Sequence, residues 1–584
     1  MNKRTRRWLR VLWIAVLVIV IIYGIGAINL YSSIGRFPTG VPRPAPHIRN
    51  LIWPTVGYPE LVRAGATLSA EFEASGLDRN AAFTATLTPV RPELAGLSYK
   101  LASTGSTPGG SEHWPAGTSH GGDTVWRVRF ALPASAVPEL YNLSVAAAGG
   151  AVKVTDSQEH SVSIRPAGAG KDFTFLTLAD IHVHRLNISM PLDPQTNKGI
   201  SPDGTPVFFQ RAIEQVNLVR PDFVLILGDN IRAQHAPGDY QIEFAEFYKT
   251  LAQFEVPVFI IPGNHDSYYN EVDGLKVYEE NIGPLFYSFD VEDSHFSMVN
   301  TSQWPDTDRM LMQKFGTFVY PRKWQGQVLG ATDERKPQTY AGELAWLRND
   351  LIASTESHHK FIAMHHDPFR PNGRGISWKN ERFAGLYALG GGGRGSMALK
   401  ELAARYRVNY VMTGHLHSDY IGAAKWRDGK GSTVYANQTM VYFDEGGMKM
   451  SYPGYRNWDV RASGVTGYTY QDAFHSTPLY DGSVLNGETD LDHLDIPALS
   501  SSATPTGFTV KNYLGAPEGL RGLVGVFPAR SAYSINGGAA YQAVPMPSDP
   551  TRAVVYVESF VPAGRPGQNS TTPGAPATKT VTVD

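Results

Sequence analysis

Five short apolar runs rich in β-branched and aromatic residues recur through the middle of the chain, and each has the length of a buried strand. They are Phe173–Leu178, Phe223–Leu227, Val256–Ile261, Phe361–Met364 and Val408–Met412. Segments with apolar residues at helical spacing lie between them, at Val207–Val219, Tyr240–Phe254, Gly342–Ala353 and Ser396–Tyr406. This alternation predicts a layered α/β domain over residues 171–455.

Two further segments, around Tyr287 to Phe289 and Phe296 to Val299, look like strands that add an antiparallel contribution. The pattern therefore favours two sheets packed as a sandwich between helices, an αββα fold, over a single Rossmann sheet. We expect Ser396 to cap the last helix, directly after the glycine run Gly390–Gly393.

The flanking regions lack a helical stripe. Residues 49–166 alternate apolar and polar positions between Gly, Ser and Pro turns, which predicts an immunoglobulin-like β-sandwich with a long loop from Ser103 to Asp123. Residues 460–584 are turn-rich and β-like, so we expect a C-terminal β-rich domain. Within it, Pro562 to Thr578 is predicted to be a mobile loop or tail segment.

The amino terminus carries an 18-residue apolar run, Val11 to Ile28, after five basic residues between Lys3 and Arg10. Such a run can just cross a bilayer, and the basic flank favours a cytoplasmic amino terminus. We expect a cytoplasmic stub and transmembrane anchor over residues 1–34, a linker over 35–48, and an extracytoplasmic remainder. A cleaved signal peptide is the alternative, although its apolar core is usually about 7–15 residues long.

The amino-acid composition limits the kinds of metal ligand and of binding partner that the chain can have. The chain has no cysteine, so any metal ion must be held by nitrogen and oxygen ligands. Lys and Arg number 52 against 54 Asp and Glu, a net charge of −2, so no bulk charge indicates binding to nucleic acid or to an anionic membrane.

Acid, amide and histidine side chains follow each of the five strand-like runs. The clusters are Asp180-Ile181-His182, Gly228-Asp229-Asn230, Gly263-Asn264-His265-Asp266, His365-His366 and Gly414-His415-Leu416-His417. The carboxyl ends of neighbouring strands meet at one edge of a sheet, so these side chains should converge. Seven of them offer two carboxylates, one amide and four imidazoles, enough for two metal ions that share a carboxylate: Asp180, His182, Asp229, Asn264, His365, His415 and His417. Mixed imidazole and carboxylate ligands suit Mn, Fe, Zn or Co better than Mg or Ca.

The order of these motifs over roughly residues 172–440 resembles the calcineurin-like metallophosphoesterases, the superfamily that includes purple acid phosphatases and phosphodiesterases. The resemblance implies a first metal ion bound by Asp180, His182, Asp229 and His417. It implies a second bound by Asp229 as the bridge, Asn264, His365 and His415. His265 would be a catalytic residue that contacts the phosphoryl group or protonates the leaving oxygen.

The resemblance also implies an activity, the hydrolysis of phosphoric esters by a metal-bridging hydroxide with no covalent intermediate. We expect a phosphodiesterase or broad phosphoesterase that faces outside the cytoplasm. A phosphomonoesterase is one alternative, and a cell-surface binding protein with a structural metal centre is another. The natural substrate, the metal identity and the oligomeric state are not indicated by the sequence.

Two departures from the family pattern stand near the motifs. Asp367 and Pro368 follow the histidine pair where the family usually has two prolines, which puts an extra carboxylate near the metal ions. The segment Val183 to Pro206 is long for the family and predicts an inserted loop beside the site. Candidates for contacting substrate, weaker than the metal ligands, are Arg232, His366, His184 and Arg185, with Tyr268, Tyr269 and Trp304 as stacking candidates.

Overall fold

The structure, a computed structural model, describes residues 8–18, 20–21, 45–116, 118–120, 124–183, 207–233, 239–268, 272–306, 309, 326–369, 395–440, 443–445, 448–468, 470–471, 475–481, 496–567, 572 and 574–584. The helices are α1 (Val207–Val219), α2 (Asp239–Leu251), α3 (Gly274–Asn281), α4 (Gly342–Ala353) and α5 (Ser396–Arg405), with short 3-10 turns at Pro92–Leu94 and Pro337–Thr339.

The strands of the first half are β1 (Leu51–Trp53), β2 (Glu60–Arg63), β3 (Thr67–Glu73), β4 (Ala82–Pro89), β5 (Tyr99–Gly109), β6 (Val125–Ala131), β7 (Leu140–Gly149), β8 (Val152–Arg165), β9 (Phe173–Leu178), β10 (Phe223–Leu227), β11 (Val258–Ile261), β12 (Tyr287–Val291) and β13 (Ser294–Val299). Those of the second half are β14 (His359–Met364), β15 (Tyr410–Thr413), β16 (Tyr420–Lys425), β17 (Ser432–Asn437), β18 (Phe443–Glu445), β19 (Met448–Ser451), β20 (Gly454–Arg461), β21 (Gly464–Thr466), β22 (Thr477–Pro478), β23 (Leu499–Thr504), β24 (Gly507–Asn512), β25 (Glu518–Pro528), β26 (Ile535–Asn536), β27 (Ala539–Met546), β28 (Asp549–Val561) and β29 (Ala577–Val583).

Strands β1 to β8 form one eight-stranded sheet in the order β1-β3-β6-β5-β4-β7-β8-β2, antiparallel except for the β2–β8 pair. Phe72 on β3 and Phe83 on β4 share one apolar core, with ring centroids 6.1 Å apart, although these two strands are not neighbours in the sheet. The sheet therefore folds over on itself around that core. The predicted loop from Ser103 is wrong in its first part, because β5 continues to Gly109 paired with β6.

The middle of the chain forms two six-stranded sheets. In the first, β11-β10-β9-β20-β21, the three strands β9, β10 and β11 are parallel and β20 returns antiparallel beside β9. The sixth strand, β22, pairs with β20. The second has the order β12-β13-β14-β15-β17-β16, with β13, β14, β15 and β17 parallel. Because β20 and β21 complete the first sheet, that sheet extends past residue 455, where the sequence had placed the end of the domain.

Aromatic side chains fill the space between these two sheets. The ring of Phe175 on β9 lies 5.4 Å from Phe296 on β13 and 5.6 Å from Phe361 on β14. Helices α1 and α2 pack on the outer face of the first sheet, and α4 and α5 pack on the outer face of the second. The layers thus follow the order helix, sheet, sheet, helix, with the site at one edge.

The carboxy-terminal strands form a four-stranded sheet, β23-β24-β29-β26, and a three-stranded sheet, β25-β28-β27. Strands β23 and β25 contact α1, and their apolar side chains join the core beneath that helix. The predicted mobile segment from Pro562 is not a free tail, because Arg565 bridges Ala575 and β29 pairs with β24.

At the amino terminus, residues 8–18 and 20–21 are helical, and apolar side chains such as Trp13 and Ile14 are exposed. Residue 19 and residues 22–28 of the predicted anchor lie outside the described residues. Within the part of the chain that the structure describes, no helix is both long and apolar enough to span a membrane. The anchor stays a prediction.

Candidate metal centre

The five clusters meet where the two sheets present the carboxyl ends of their parallel strands. The loop after β9 pairs with the loop after β10, since Asp180 N donates to Gly228 O at 3.1 Å and His182 N donates to Asp229 O at 2.9 Å. His415 N donates to Asp180 Oδ1 at 2.8 Å, which joins the second sheet to the first. Backbone hydrogen bonds therefore fix the side chains relative to one another.

Five of the seven predicted ligands adopt a left-handed backbone conformation, which L-residues with side chains rarely adopt. The φ angles are 56° at Asp180, 51° at His182, 54° at Asp229, 69° at His415 and 46° at His417. Asp180 and His182 thus reach one side of the site by a turn beyond the end of β9, and not by strand alternation as the sequence had indicated. Strained backbone of this kind persists where surrounding contacts impose it, typically at functional sites.

Two glycines permit the close approach of these loops. A Cβ on Gly263 would lie 2.2 Å from both the amide nitrogen and Oδ1 of Asp229. Gly228 has a φ of 85°, and a Cβ there would lie 2.8 Å from His365 Nδ1. Side chains at either position would force the ligand loops apart.

Asp180, His182, Asp229 and His417 form the first metal-binding group, with their ligand atoms all within 4.8 Å of one another. His182 Nε2 lies 3.2 Å from His417 Nε2 and 3.7 Å from Asp229 Oδ2. Burial lowers the pKa of His182 well below its usual value. Burial alone would raise the pKa of Asp229, but His365 and His265 hold it well below its usual value. A neutral imidazole and an ionised carboxylate are the forms that bind metal cations.

The second group contains His365, His366 and His415, whose ligand atoms also lie within 4.8 Å of one another. His365 Nδ1 donates to Leu227 O at 2.7 Å, which turns Nε2 toward Asp229 Oδ2 and Asn264 Oδ1, each 3.1 Å away. Asn264 Nδ2 donates to Tyr268 OH at 2.5 Å, so its amide oxygen faces the group. A histidine fixed through one nitrogen with the other turned to the site is the usual arrangement of a metal ligand.

Asp229 links the two groups. Its Oδ2 faces His182 of the first group at 3.7 Å and His365 of the second at 3.1 Å. One carboxylate between two sets of ligands is the arrangement needed for a shared, bridging ligand.

His265 lies beside Asp229 and outside both groups. Its backbone amide donates to Asp229 Oδ1 at 2.8 Å, and its Nδ1 donates to the backbone oxygen of Arg232 at 2.7 Å. Its Nε2 lies 3.9 Å from Asp229 Oδ2. The ring is thus held in one tautomer with Nε2 turned toward the centre.

The two weaker candidates for contacting substrate differ in placement. His366 is fully buried, with Nδ1 2.7 Å from Thr301 Oγ1 and its ring centroid 4.2 Å from that of His415. This placement favours the metal group over a contact with substrate. Arg232 is half-buried, and its charge is among the causes that lower the pKa of His182. A cation therefore stands close to the centre.

Asp266 and Arg309 organise the site, a role that the sequence had not indicated for either residue. Asp266 is fully buried, and its carboxylate accepts hydrogen bonds from the backbone amides of Gly263, Asn230 and Ile231 at 2.7 to 3.2 Å, tying two ligand loops together. Arg309 Nε donates to Ser267 O at 2.8 Å. No motif surrounds Arg309, so only its three-dimensional position reveals it.

Asp367, expected as an extra carboxylate near the metal ions, is held by hydrogen bonds from its own turn and from β16. Oδ1 accepts from Phe369 N at 2.6 Å, and Oδ2 accepts from Tyr420 OH. Tyr268 and Trp304, considered for stacking, are buried, and the Tyr268 hydroxyl accepts from Asn264. His184, Arg185, Tyr269, most of the insertion Val183 to Pro206 and the glycine run Gly390–Gly393 lie outside the described residues.

The residues fit metal ions. Asp180 Oδ2 and His415 Nε2 are buried atoms with no hydrogen-bond partner within the described residues, and a bound cation would satisfy both. Burial raises the pKa of Asp180 to about 7, and the charge on Asp229 adds to the shift. This buried pair of carboxylates is the kind that a cation stabilises.

Comparison with known proteins agrees with this geometry. Residues 173–419 match the calcineurin-like phosphoesterase family. No curated protein matches the sequence.

Two solved structures show weak similarity to the chain. One is a family 123 glycoside hydrolase from Clostridium perfringens (9% identity, 61% of this chain, 62% of that chain, TM-score 0.12). The other is a calcium-binding mutant of Bacteroides uniformis beta-glucuronidase 2 (10% identity, 88% of this chain, 60% of that chain, TM-score 0.22). The chain thus spans about three fifths of each structure it matches. At these TM-scores neither similarity bears on fold or function.

Proposed function

We propose that this protein hydrolyses phosphoric esters at a centre for two transition-metal ions. The premise is that residues 173–419 form a calcineurin-like phosphoesterase domain. The observation that carries the proposal is the position of Asp229 Oδ2 between His182 and His365. A single-metal or structural centre would not need a carboxylate shared by two ligand groups.

The first ligand set is the first group, and the second set keeps His365 and His415 of the second group and adds the oxygens of Asp229 and Asn264, which face His365 Nε2. Asp180, His182, Asp229 and His417 would hold one ion, and Asp229, Asn264, His365 and His415 the other. Bound Mn, Fe, Zn or Co ions would supply Lewis acidity and activate a water molecule for attack on phosphorus. Imidazole, carboxylate and amide ligands suit all four of these metals, so the metal that is bound depends on which ion is available to the protein.

His265 and Arg232 would act on the phosphoryl group. His265 Nδ1–H is held by the carbonyl of Arg232, so Nε2 faces the bound ester, and the protonated imidazolium would donate a hydrogen bond from Nε2 to a phosphoryl oxygen or a proton to the leaving oxygen. The Arg232 guanidinium would balance negative charge on the bound ester.

A diester is the substrate class that we propose, with a monoester as the alternative. The test compares bis-p-nitrophenyl phosphate with p-nitrophenyl phosphate after loading with Mn, Fe, Zn or Co. Metal content measured in parallel should approach two ions per chain.

Asp229→Asn should abolish both hydrolysis and binding of the second ion. Asp459→Asn is the matched control, because Asp459 pairs with Arg461 and lies opposite Thr174 at the start of β9, away from the site. A fully active Asp229→Asn variant or a single bound ion would refute the proposal.

We further propose that residues 11–28 tether the chain to a membrane, with the phosphoesterase domain outside the cytoplasm. The basic residues before this run and the exposed apolar side chains of the helix at residues 8–18 support it. Alkaline extraction of membranes should leave the full chain in the pellet, and protease added to intact cells or spheroplasts should reach the domain. Release by alkali would contradict the tether.

A further inference from the structure

The two ligand sets of the centre carry different charge. The first contains two carboxylates, Asp180 and Asp229, whereas the second has the shared oxygen of Asp229 and otherwise neutral ligands. An ion in the second set is therefore attracted by less negative charge, so its affinity depends more on how the neutral ligands are oriented. Asn264 is one of these ligands, and an amide can bind a cation through its oxygen but not through its NH2 group. The orientation of this amide thus bears directly on the second ion.

The Asn264 amide is oriented by the hydroxyl of Tyr268. The Asn264 side chain is buried, its Nδ2 donates to Tyr268 OH at 2.5 Å, and its Oδ1 lies 3.1 Å from His365 Nε2. A flipped amide would turn the NH2 group toward the ion. The hydrogen bond at Nδ2 opposes that flip, and it also polarises the amide so that more negative charge lies on the oxygen.

The position of Tyr268 is fixed by contacts that do not depend on a metal ion. Asn264 O accepts from Ser267 N at 3.2 Å and from Ser267 Oγ at 2.8 Å, so the chain turns back directly after Asn264. Tyr268 O then accepts from Tyr240 OH at 2.6 Å and from Gly274 N at 3.2 Å. Because the Tyr268 side chain is also buried, its hydroxyl stands beside the amide before any ion binds.

His365, another ligand of the second set, is oriented in a different way. Its Nδ1 donates to the backbone oxygen of Leu227, a group that no substitution at Leu227 removes. Asn264 depends instead on a hydroxyl that belongs to a single side chain. Removing a residue that orients a metal ligand typically lowers metal affinity by about 10–100-fold. Tyr268 is therefore a position at which the affinity of the second set can be changed without changing a ligand.

We infer that Tyr268 is a positioning residue that orients the Asn264 amide and thereby sets the affinity for the second metal ion. It would also set the metal concentration above which the protein hydrolyses phosphoric esters, since the proposed reaction needs both ions. The inference rests on the proposed function, because it concerns the second ion of the proposed pair.

The test is a titration of the full-length, detergent-solubilised and metal-depleted protein with Mn²⁺, in which EPR measures the free ion. The wild-type protein should bind two ions per chain. Tyr268→Phe keeps the ring but removes the hydroxyl, so it should leave the dissociation constant of the first ion unchanged and raise that of the second by about 10–100-fold. Excess Mn²⁺ should restore the second ion and, with it, kcat for a nitrophenyl ester at an unchanged KM. A general disturbance of the fold would instead weaken both ions.

Tyr278→Phe is the matched control. Tyr278 is equally buried, but its hydroxyl donates to Ile260 O at 2.7 Å and contacts no ligand side chain, so both dissociation constants should stay at their wild-type values. A second comparison uses Asn264→Asp, because a carboxylate presents an oxygen in either orientation. In that background the effect of Tyr268→Phe on the second ion should largely disappear. Thermal unfolding of the metal-depleted proteins checks folding, and Tyr268→Met, which removes the same hydroxyl, replaces Tyr268→Phe if the latter does not fold.

The outcomes separate this inference from the proposed function. Equal affinity for the second ion in Tyr268→Phe and the wild-type protein would overturn the inference alone, as would an equal loss of both ions. A wild-type protein that binds two ions but hydrolyses no ester would refute the proposed function, while the two dissociation constants would still decide the role of Tyr268. A single ion in the wild-type protein would overturn both.

Discussion

At the scale of single residues, the candidate centre depends on side chains in a conformation that they rarely adopt. Asp180, Asp229 and His415 all have positive φ angles, and the loops that hold them approach too closely for a Cβ at Gly228 or Gly263. The glycines and the strained ligands are therefore parts of one arrangement. A change in either should disturb the other.

Gly263→Ala tests this dependence. The new Cβ would overlap the backbone and carboxylate of Asp229, so we expect a loss of stability of about 1–3 kcal/mol from overpacking and a large fall in metal content. Calorimetric unfolding and metal analysis measure the two effects. Gly110→Ala is the matched control, because a Cβ there meets nothing within 4 Å. Wild-type metal content in Gly263→Ala would show that the loops separate without cost.

His265→Ala separates catalysis from metal binding. His265 lies outside both ligand groups, so the variant should keep its metal ions while kcat falls by about 10²–10⁴-fold, the usual contribution of a general acid. His417→Ala should instead lower metal content, because His417 belongs to the first group. Kinetics and metal analysis of both variants, measured in parallel, distinguish a catalytic residue from a metal ligand. Equal metal loss in His265→Ala and His417→Ala would mean that His265 is itself a ligand.

The sequence alone identifies the candidate metal ligands, but it does not identify the residues that hold the ligand loops in place. Asp180, His182, Asp229 and the later histidines stand in short motifs after apolar runs, so their type, order and context were all visible. Asp266 and Arg309 act on backbone groups of loops that come together only in the fold. The family resemblance implied His365 and not the adjacent His366 as a ligand, and His365 Nε2 lies 3.1 Å from Asp229 Oδ2.

At the scale of secondary-structure elements, hydrophobic periodicity located the helices well and their ends less well. Helices α1 and α4 match their predicted bounds, and in α4 the buried Leu344, Leu347 and Leu351 recur at helical spacing. Ser396 does not cap α5. The N-cap is Gly395, and the Ser396 hydroxyl donates to Pro368 O at 3.1 Å. Strand β20 was not predicted and spans the expected end of the domain at residue 455, because its partner β9 lies more than 270 residues away along the chain.

A buried histidine joins two strands of the second sheet to helix α4. His295 on β13 lies 2.7 Å from Asp290 on β12 and 2.9 Å from Asp350 on α4. Burial would lower its pKa, but hydrogen bonds to these two carboxylates raise it to about 9. Because this folded pKa exceeds the unfolded value near 6.5, the stabilisation is complete below about pH 6.5 and is lost as the pH rises through 9.

His295→Gln should therefore destabilise the protein most at pH 6 and little above pH 9. The difference at pH 6 has an upper bound of about 3 kcal/mol, reduced because Asp290 is largely exposed to solvent. Urea unfolding at several pH values measures it. Ser297→Ala is the control, since Ser297 Oγ donates to the same Asp350 at 2.6 Å but does not titrate, and its effect should stay nearly constant with pH. A pH-independent effect of His295→Gln would contradict the charged pairing.

At the scale of the whole molecule, a buried charge cluster connects the three parts of the chain. Glu139, before β7, lies 2.9 Å from Arg220 at the end of α1 and 3.4 Å from Arg91. Tyr556 on β28 donates to the same carboxylate, and both guanidinium groups stand over its ring at 4.9 and 5.4 Å. Burial would raise the pKa of Glu139, but Arg220 and Arg91 hold it below its usual value. One carboxylate thus contacts the amino-terminal sheet, the phosphoesterase domain and the carboxy-terminal sheets.

Glu139→Gln should weaken all three contacts at once. Removing one partner of a buried ion pair typically costs about 3–5 kcal/mol, and the partly exposed Glu255, which also pairs with both guanidinium groups, should keep the loss at the lower end of this range. Because the strands β23 and β25 share a core with α1, we expect the loss to appear as a single unfolding transition at lower temperature and not as early release of one part. Calorimetry measures the transition. Glu214→Gln, which breaks an exposed pair with Arg211, is the control and should change stability by about 0–1 kcal/mol. Two separate transitions in Glu139→Gln would mean that the three parts fold as independent units and that the cluster only connects them.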